Sequence, residues 1–578
     1  MKTILDKCGG LPLAIVNIAS LLSSYNSANS RDMWERVCKS IGSQMESNPT
    51  LEGMRQIITL SYNHMPHHLK GCMMYLSSFP EDYVIDKTRL LYRWIAEGLI
   101  TKKRGLTLLE VAEAYFDELI SRNMILPANI SYDGRVQACQ VHDMMLEVMV
   151  SKSQEANFLT LLGGQSKGTS YDKIRRLSIH RDDRSPTVVK QGSKRERVAE
   201  VQRTRHGVEA MNLEHVRSLS MFQPQGHKLL DRLDKFPLLR VLDLEDCKAV
   251  EDRHMDIICR LFLLKFLSLQ GTDITKVPSE IGDLEHLQIL NVYNTHLTGL
   301  PDTVTSLEKL ECLYISNKNK WDAVWRLPRG LKKMKALGML DKVDLNDAQV
   351  AQEIGELSQL RELCIILTCS DDDSVLQELA SALGRTYSLR WLSIVDHGGT
   401  KKLNFLLQLP SPPLLLRYLR ISGMVDKLPD WIKSLTHLTQ INFSATKLRI
   451  DQLLGVLCEL PSLVDMVLWR YSYTDNELVA RPEYRFPMLK KLSVVSDCDE
   501  HKVLKFEEGS MQMLEKLEYR FDNWEKRIIG IKNLKSLKEV ILIGNMHNPA
   551  LIRTVEKFKT ENNSRAEGMQ FNVTVRKD

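Results

Sequence analysis

The residue types of a phosphate-binding loop occur at residues 163–169, which read GGQSKGT. Such a loop surrounds the phosphates with backbone N–H groups of a glycine-rich turn. A lysine directly after the last glycine reaches the β- and γ-phosphates. In this chain Lys167 stands before Gly168 instead. The segment therefore cannot supply the usual phosphate cradle, and we expect an ordinary loop.

Three histidines lie close together around Pro66, at positions 64, 67 and 68. A zinc site needs ligands held at fixed spacing, but Pro66 interrupts any helical face, and no nearby Cys or carboxylate cluster completes a ligand set. Cys72 is near these histidines only in sequence, and no nucleophile, base and orienting group stand at a recognisable spacing. We therefore expect neither a metal centre nor an enzyme active site.

The elements that must position any functional side chain repeat along the chain. Around residues 264–315 the phrase L-x-x-L-x-L recurs with a period of roughly 23 residues, which is typical of leucine-rich repeats. The phrase recurs at about fifteen places between residues 174 and 542. One such unit cannot bury its apolar face alone, so the units must stack into a solenoid. This repeat pattern predicts a binding surface.

Composition sets limits on the class of protein. The chain has 578 residues, of which 43% are hydrophobic and 26% charged, so it can bury a large core. A net charge of +5 is small for this length and disfavours a dedicated nucleic-acid binder. The 11 cysteines lack paired spacing, which favours reduced thiols in the cytoplasm. The sequence predicts neither a signal peptide nor a membrane-spanning segment.

The region before the repeats predicts helices and a small hairpin. Helical spacing of apolar residues covers 54–60, 87–97 and 106–121, and strands are predicted at 124–126 and 136–141. Helices combined with a hairpin are the outline of a winged-helix domain. A DNA-binding winged helix needs a basic helix face, but the basic run at 102–104 falls in a predicted loop. We therefore favour a regulatory or protein-contact role over DNA binding.

Four phrases in this region resemble plant nucleotide-binding leucine-rich-repeat immune receptors of the coiled-coil class. They are GLPLA at 10–14, CMMYLSSFPED at 72–82, WIAEG at 94–98 and VHD at 141–143, where the family has Met in place of Val141. The repeats follow in the family's order. The resemblance implies an α/β solenoid fold divided into a helical remnant (1–48), a winged-helix domain (49–152), a linker (153–170) and a leucine-rich-repeat horseshoe (171–578).

The chain departs from the family before GLPLA, where the phosphate-binding loop, the Mg²⁺-holding acidic strand and the coiled coil normally stand and only residues 1–9 occur here. The resemblance therefore implies a truncated nucleotide-binding domain, and we expect no bound cofactor, although intact members bind ADP or ATP. It also implies that Pro12 packs beside the nucleotide base and that His142 contacts an ADP phosphate. His142 stands at a predicted helix start, which favours anions, and Asp143 is the expected cap. The alternative is that His142 is a hydrogen-bonded loop histidine.

Strand alternation identifies the side chains on the concave face of the repeats. Tyr, Trp and Arg are enriched at binding hot spots. We therefore predict that Trp391, Tyr418, Arg420 and Trp469 form one partner-binding patch on that face.

The resemblance implies a function in plant disease resistance. The repeats would recognise a pathogen effector or a guarded host protein, and the winged helix would relay that event to defence signalling. A full-length receptor of the family is a further candidate partner. The alternative is a leucine-rich-repeat scaffold or ubiquitin-ligase adaptor, which would need an F-box-like helical module in front of the repeats; the phrases at 94–98 and 141–143 argue against it.

Overall fold

The computed structural model divides into two compact units, residues 1–131 with 135–297, and residues 298–578 with 132–134. The described residues are 15–16, 19, 51–131, 134–162, 174–180, 211–222, 228–318, 325–345, 347–368, 373–397, 402–495, 503–521, 526–565 and 569–577. Nearly all of the predicted helical remnant (1–48), including Pro12, and the loop at 163–169 therefore lie outside the described residues.

The first unit begins with helices around a small antiparallel sheet whose strand order is β1-β3-β2. The helices are α1 (Leu51–Asn63), α2 (His67–Tyr75), α3 (Lys87–Glu97), α4 (Leu108–Ser121) and α5 (Asp143–Glu155). The strands are β1 (Ile85–Asp86), β2 (Leu126–Ile130) and β3 (Val136–Gln140). This arrangement agrees with the predicted winged-helix outline.

Local capping signals set the bounds of α3 and α4. The Asp86 carboxylate accepts a hydrogen bond from the backbone N–H of Arg89 at 2.9 Å, and Gly98 ends α3 with φ of 75°. Thr107 and Glu110 form a reciprocal capping box at the start of α4. The bounds of α3 are those predicted, whereas α4 begins at Leu108 rather than at residue 106 because Thr107 is its N-cap.

Two details of the winged-helix prediction are wrong. Helix α2 was not among the predicted elements, because its polar residues His67, His68 and Lys70 obscure the apolar stripe. The first hairpin strand begins at Leu126 and not at residue 124, since Met124 and Ile125 are buried in the connection that follows α4.

The rest of the first unit is a stack of parallel strands. They are β4 (Thr160–Leu162), β5 (Arg176–Ile179), β6 (Ser218–Met221), β7 (Val241–Asp243), β8 (Phe266–Ser268) and β9 (Ile289–Thr295), and helix α6 covers Asp252–Ile258. Each strand pairs with the next in parallel. Strand β4 lies within residues 153–170, which were predicted to be a linker, so the sheet begins before the predicted repeat domain.

The second unit continues the same architecture. Its strands are β10 (Cys312–Asn317), β11 (Trp325–Arg326), β12 (Met339–Asp344), β13 (Glu362–Leu367), β14 (Trp391–Asp396), β15 (Tyr418–Ser422), β16 (Gln440–Ser444), β17 (Asp465–Trp469), β18 (Glu477–Ala480), β19 (Lys491–Val495), β20 (Val503–Phe506), β21 (Lys516–Phe521), β22 (Arg527–Ile529), β23 (Glu539–Gly544) and β24 (Asn572–Arg576). Its helices are α7 (Ala348–Ile354), α8 (Asp373–Leu383), α9 (Ile450–Leu457) and α10 (Pro549–Asn563). The main sheet is parallel, and β18, β20 and β22 form a separate three-stranded parallel sheet.

The leucine phrases form the core. Leu392, Leu419 and Ile441 lie opposite one another on neighbouring strands and are almost completely buried. Short 3₁₀ turns follow Pro278 and Pro301 in the predicted second apolar run of each repeat. Burial of the leucines therefore depends on the neighbouring repeats, as a solenoid requires.

One predicted repeat phrase is out of register. The leucine pattern predicts core positions at Met334, Leu337 and Met339; the first two are buried, but Leu340 rather than Met339 pairs with Leu313 and Leu363 and fills the third position. The register shifts between Leu340 and Val343, which interrupts the L-x-L pattern. Strands β18, β20, β22 and β24 were not predicted either.

Candidate functional site

The concave face of the sheet, formed by the side chains that alternate with the core leucines, is covered in the first unit. Ser178, Ser220, Asp243 and Ser268 stand opposite one another on β5 to β8. All four are at most 1% exposed. Helix α3 of the winged-helix domain packs against β7 and β8 of this face. The row is therefore an internal docking surface.

A buried ion network holds α3 on this face. The Asp243 carboxylate accepts hydrogen bonds from Arg89 Nε and Nη2 at 2.9 and 2.8 Å, and from Arg93 Nη1 at 2.8 Å. Arg93 also donates to the Ser220 hydroxyl at 2.6 Å and to the Tyr75 hydroxyl at 3.0 Å. The side chains of Arg93 and Asp243 are wholly buried. A buried ion pair is stable only when its remaining donors and acceptors are also satisfied, and this one meets that condition.

A further carboxylate lies at the edge of the network. Glu245 forms an ion pair with Arg89 at 2.8 Å. Burial raises the pKa of Glu245 to about 7, although the positive charge of Arg89 opposes the shift. The nearby carboxylates of Asp243, Asp246 and Asp86 add to the rise. Arg89 thus forms ion pairs with two carboxylates, the buried Asp243 and the more exposed Glu245.

A second set of contacts ties the WIAEG phrase to the first repeat strands. Glu97 forms an ion pair with Arg176 at 2.7 Å, and the Arg176 guanidinium lies 4.0 Å from the ring centre of Phe158. Within the same phrase, Trp94 is fully buried and Gly98 ends α3. The phrase therefore fixes α3 to strand β5.

The SSFPED phrase makes the third contact. The Ser78 carbonyl accepts hydrogen bonds from the Ser178 hydroxyl at 2.7 Å and from His180 Nε2 at 3.0 Å. Burial lowers the pKa of His180, which favours the neutral ring. Phe79 and Tyr83 pack against Phe222 with ring centres 5.7 and 5.4 Å apart. Winged helix and first repeats thus share one packed interface.

Sequence reasoning did not find this junction. Arg93 and Asp243 are separated by 150 positions, so no local spacing joins them. A partial signal existed: Arg93 stands between Leu90, Leu91 and Trp94 on the predicted buried side of α3, where an unpaired charge would be costly. That position required a carboxylate partner elsewhere in the chain.

His142 lies where a helix starts, as predicted, but it is itself the N-cap of α5. Its Nδ1 accepts a hydrogen bond from the Met144 backbone N–H at 3.3 Å. Asp143, the expected cap, is instead the first helical residue, where its charge still favours the helix dipole. The structure thus gives His142 a local hydrogen bond, and contact of His142 or Pro12 with ADP stays a prediction.

In the second unit the concave face is open around the predicted patch. Trp391 stacks on Tyr418 with ring centres 3.6 Å apart and an angle of 10° between the planes. Trp391 is 38% exposed and Trp469 is 42% exposed. Arg420 follows Tyr418 by two residues on β15 and is half-buried. Strand register puts all four side chains on the same face, while their role in partner binding stays a prediction.

Next to this patch the concave face carries paired charges. Lys491 lies 3.8 Å from Asp465 and 3.4 Å from Glu518. Lys516 lies 3.9 Å from Glu518 and 2.7 Å from Glu539. These side chains alternate in sign across β17, β19, β21 and β23. Their charges largely satisfy one another.

The described residues offer little for catalysis or metal binding. Among them, no group of three or more His, Cys, Asp and Glu side chains could hold a metal ion. Burial raises the pKa of Cys72, Cys139 and Cys259 to about 12, so their thiolates are scarcely populated near neutral pH. Within the same part of the chain, none of the helices has the length and apolar character needed to cross a membrane.

Comparisons with known proteins match both parts of this architecture. A family model described as a leucine-rich repeat region matches residues 215–568. A second, described as the winged helix domain of disease resistance proteins, matches residues 79–149. The second match covers α3 and the WIAEG phrase.

Curated relatives carry the same description. The chain is 34% identical over 591 residues to disease resistance protein Pik-2 of Oryza sativa subsp. japonica, covering 93% of this chain and 55% of that protein. It is 28% identical over 561 residues to disease resistance RPP8-like protein 3 of Arabidopsis thaliana, covering 94% and 58%. The chain thus spans about half the length of these relatives. The resemblance noted in the sequence is confirmed, and the chain belongs to the plant disease resistance proteins in which a winged helix domain precedes leucine-rich repeats.

Proposed function

We propose that this chain acts in plant disease resistance as the sensing part of an immune receptor, with a protein bound on the concave face of the second unit. The carrying observation is the exposed Trp391–Tyr418 stack beside Arg420 on an open sheet face. Aromatic residues and arginine dominate the centres of protein interfaces. The bound protein would be a pathogen effector or a host protein that the receptor guards.

The winged helix would pass the binding event onward. Its helix α3 is fixed to the first repeats by Asp243 and Glu97, so force applied to those repeats acts directly on the domain. Stiff, fully packed interfaces transmit small displacements better than loose ones. The proposed role is relay and binding, without turnover of a substrate.

The test uses plants in which this gene is disrupted. We expect them to admit a pathogen isolate that the parental line resists, and the wild-type chain should restore resistance. The Trp391→Ala/Tyr418→Ala double variant should accumulate normally yet fail to restore it. Ile552→Ala, an exposed apolar change on α10, is the matched control and should restore resistance. Equal rescue by both variants would contradict the proposal.

The same plants also test two alternatives. Recovery of a Skp-type subunit with the full chain, together with rescue by the double variant, would favour a ubiquitin-ligase adaptor. The winged-helix match over residues 79–149 supports the receptor instead. Co-purification with the wild-type and double-variant chains tests whether a full-length family member binds this chain.

We also propose that this chain alone binds ADP weakly or not at all. His142 Nδ1 is already engaged by the Met144 N–H, which leaves only Nε2 for a phosphate. Backbone donors and a lysine normally supply most phosphate binding, and Lys167 precedes Gly168. Calorimetry on the purified chain should therefore detect no micromolar ADP affinity, and detection of such affinity would refute the proposal.

We place the action of the chain in the cytoplasm. The cysteines of the described residues form no disulfide with one another, and Cys72, Cys139, Cys247 and Cys259 are buried as thiols. Free thiols are typical of a reducing compartment. A fluorescent fusion of the full chain should therefore give cytoplasmic signal, and signal confined to the secretory pathway would contradict this placement.

A further inference from the structure

Three arginines near the aromatic stack have no ion-pair partner within the described part of the chain. They are Arg361, Arg390 and Arg420, all half-buried. Arg361 and Arg390 occupy equivalent places directly before β13 and β14, where the Arg390 N–H donates to the Arg361 carbonyl at 2.7 Å. Arg420 lies on β15, the next strand. Three arginines without an ion-pair partner among the described residues thus stand on or directly before three neighbouring strands.

Two lysines elsewhere on the same face are paired with carboxylates. Lys491 and Lys516 each lie within 4 Å of two carboxylates. The unpaired arginines therefore cannot be explained as a general property of this sheet. Strand register places Arg420 on the same face as Trp391 and Tyr418.

Polar side chains surround Arg420. Arg420 Nε itself is inaccessible to solvent and has no hydrogen-bond partner among the described residues. Ser393 is only 3% exposed. It faces Arg420 across β14 and β15, and Asn442 faces Arg420 across β15 and β16. A carboxylate bound next to Arg420 would supply the ion-pair partner that this guanidinium lacks among the described residues.

We propose that this part of the concave face binds an acidic segment of the protein ligand. One Asp or Glu carboxylate pairs with the Arg420 guanidinium, and a flanking apolar or aromatic side chain packs on the exposed ring of Trp391. The proposal rests on the proposed function, whose protein ligand it characterises. Carboxylate fits the planar fork of arginine and accepts two parallel hydrogen bonds.

The local charge favours a peptide over a polyanion. Asp341 and Glu362 lie on the neighbouring strands β12 and β13. These carboxylates would repel a nucleic acid or polyphosphate, whose charges repeat at every few ångströms. A segment with one or two carboxylates beside an apolar residue meets the arginines and avoids the acids.

Fluorescein-labelled octapeptides supply the test on the full chain. An alternating Glu/Tyr peptide should bind at least about tenfold more tightly than its Gln/Tyr counterpart, because charge-assisted hydrogen bonds to arginine are stronger than neutral ones. Arg420→Gln should remove that preference, and Arg420→Lys should restore part of it, since it keeps the charge but loses the fork. Lys491→Gln, which alters a paired cation of the same face, is the matched control and should change binding less than about twofold.

Several outcomes would overturn the proposal. They are equal binding of the two peptides, equal losses in Arg420→Gln and Lys491→Gln, and displacement of the Glu/Tyr peptide by single-stranded oligonucleotide at matched phosphate concentration. Unchanged thermal unfolding of Arg420→Gln would show that its loss of peptide preference is not caused by misfolding. Failure of the receptor function is separable: peptide preference combined with full rescue of resistance by Trp391→Ala/Tyr418→Ala keeps this site and rejects the proposed function.

Discussion

Asp243 and Arg420 occupy the same position of their respective repeats, each between two core residues of a strand on the concave face. Asp243 is buried beneath a helix of the same chain and bonded to two arginines. Arg420 stands on open sheet and has no ion-pair partner among the described residues. The same repeat position is therefore bonded within the chain in the first unit and stands without an ion-pair partner among the described residues in the second.

The two regions differ in the side chains that they present on the concave face. Where a domain of the chain must stay attached, the sheet offers serines and one acid, to which α3 adds two arginines that bond to Asp243 and Ser220. Where the face is exposed, it offers an aromatic stack and Arg420, which has no ion-pair partner among the described residues. The leucine core beneath both is the same, so the docking specificity lies in the alternating residues.

The comparison predicts the largest effect at Asp243. Asp243→Ala leaves Arg89 and Arg93 buried without their carboxylate, and loss of one partner of a buried pair costs about 3–5 kcal/mol. We expect that loss in the stability of the first unit, measured by hydrogen exchange of the α3 amides across a denaturant series. Asp426→Ala, which removes the exposed partner of Lys402 in the second unit, is the control and should change nothing measurable.

Glu245 should give the junction a distinctive pH dependence. Because its folded pKa is raised from 4.5 to about 7, the folded state holds this proton more tightly than the unfolded chain does. Its contribution to stability is therefore present at low pH and lost as pH rises through about 7. The loss is on the order of 3 kcal/mol for a shift of this size.

Glu245→Gln should abolish this pH-dependent contribution to stability. The difference in unfolding free energy between variant and wild type, measured from about pH 5 to pH 8, should grow in favour of the variant as pH rises. A difference that is constant over this range would show that the carboxylate of Glu245 titrates in the folded chain as it does in water.

Two glycines should respond in opposite directions. Gly98 ends α3 at φ of 75°, where a side chain is strained although nothing lies within 4 Å of an added Cβ. Gly98→Ala should therefore destabilise the junction by about 1 kcal/mol. Gly455 lies within α9 in equally open space, so Gly455→Ala should stabilise the second unit by about 1 kcal/mol. Thermal unfolding of the two variants compares them, and shifts of the same sign would contradict the backbone argument.

The sequence predicted what is periodic or locally capped. Leucine spacing located nearly every strand of the main sheet, and Gly98 located the end of α3. The exception, around Leu340, lies where a register shift breaks the period. Strands β18, β20 and β22 were not predicted because the segments between the leucine phrases carry no recurring phrase. The Arg93–Asp243 pair was not predicted because its two residues come together only in the folded chain. By contrast, alternation along single strands was enough to predict that Trp391, Tyr418 and Arg420 share one face.

The smallest stability effect should come from the residue with the largest proposed role in binding. Trp391→Ala removes a side chain that is already 38% exposed and stacks on one partner, so a loss of about 1 kcal/mol or less is expected. Trp94→Ala, at a fully buried site of α3, should cost about 3–5 kcal/mol. Chemical denaturation of both variants makes the comparison. A large loss at Trp391 would mean that the open face is structural, whereas near-normal stability together with failed rescue of resistance would assign its exposed ring to a partner.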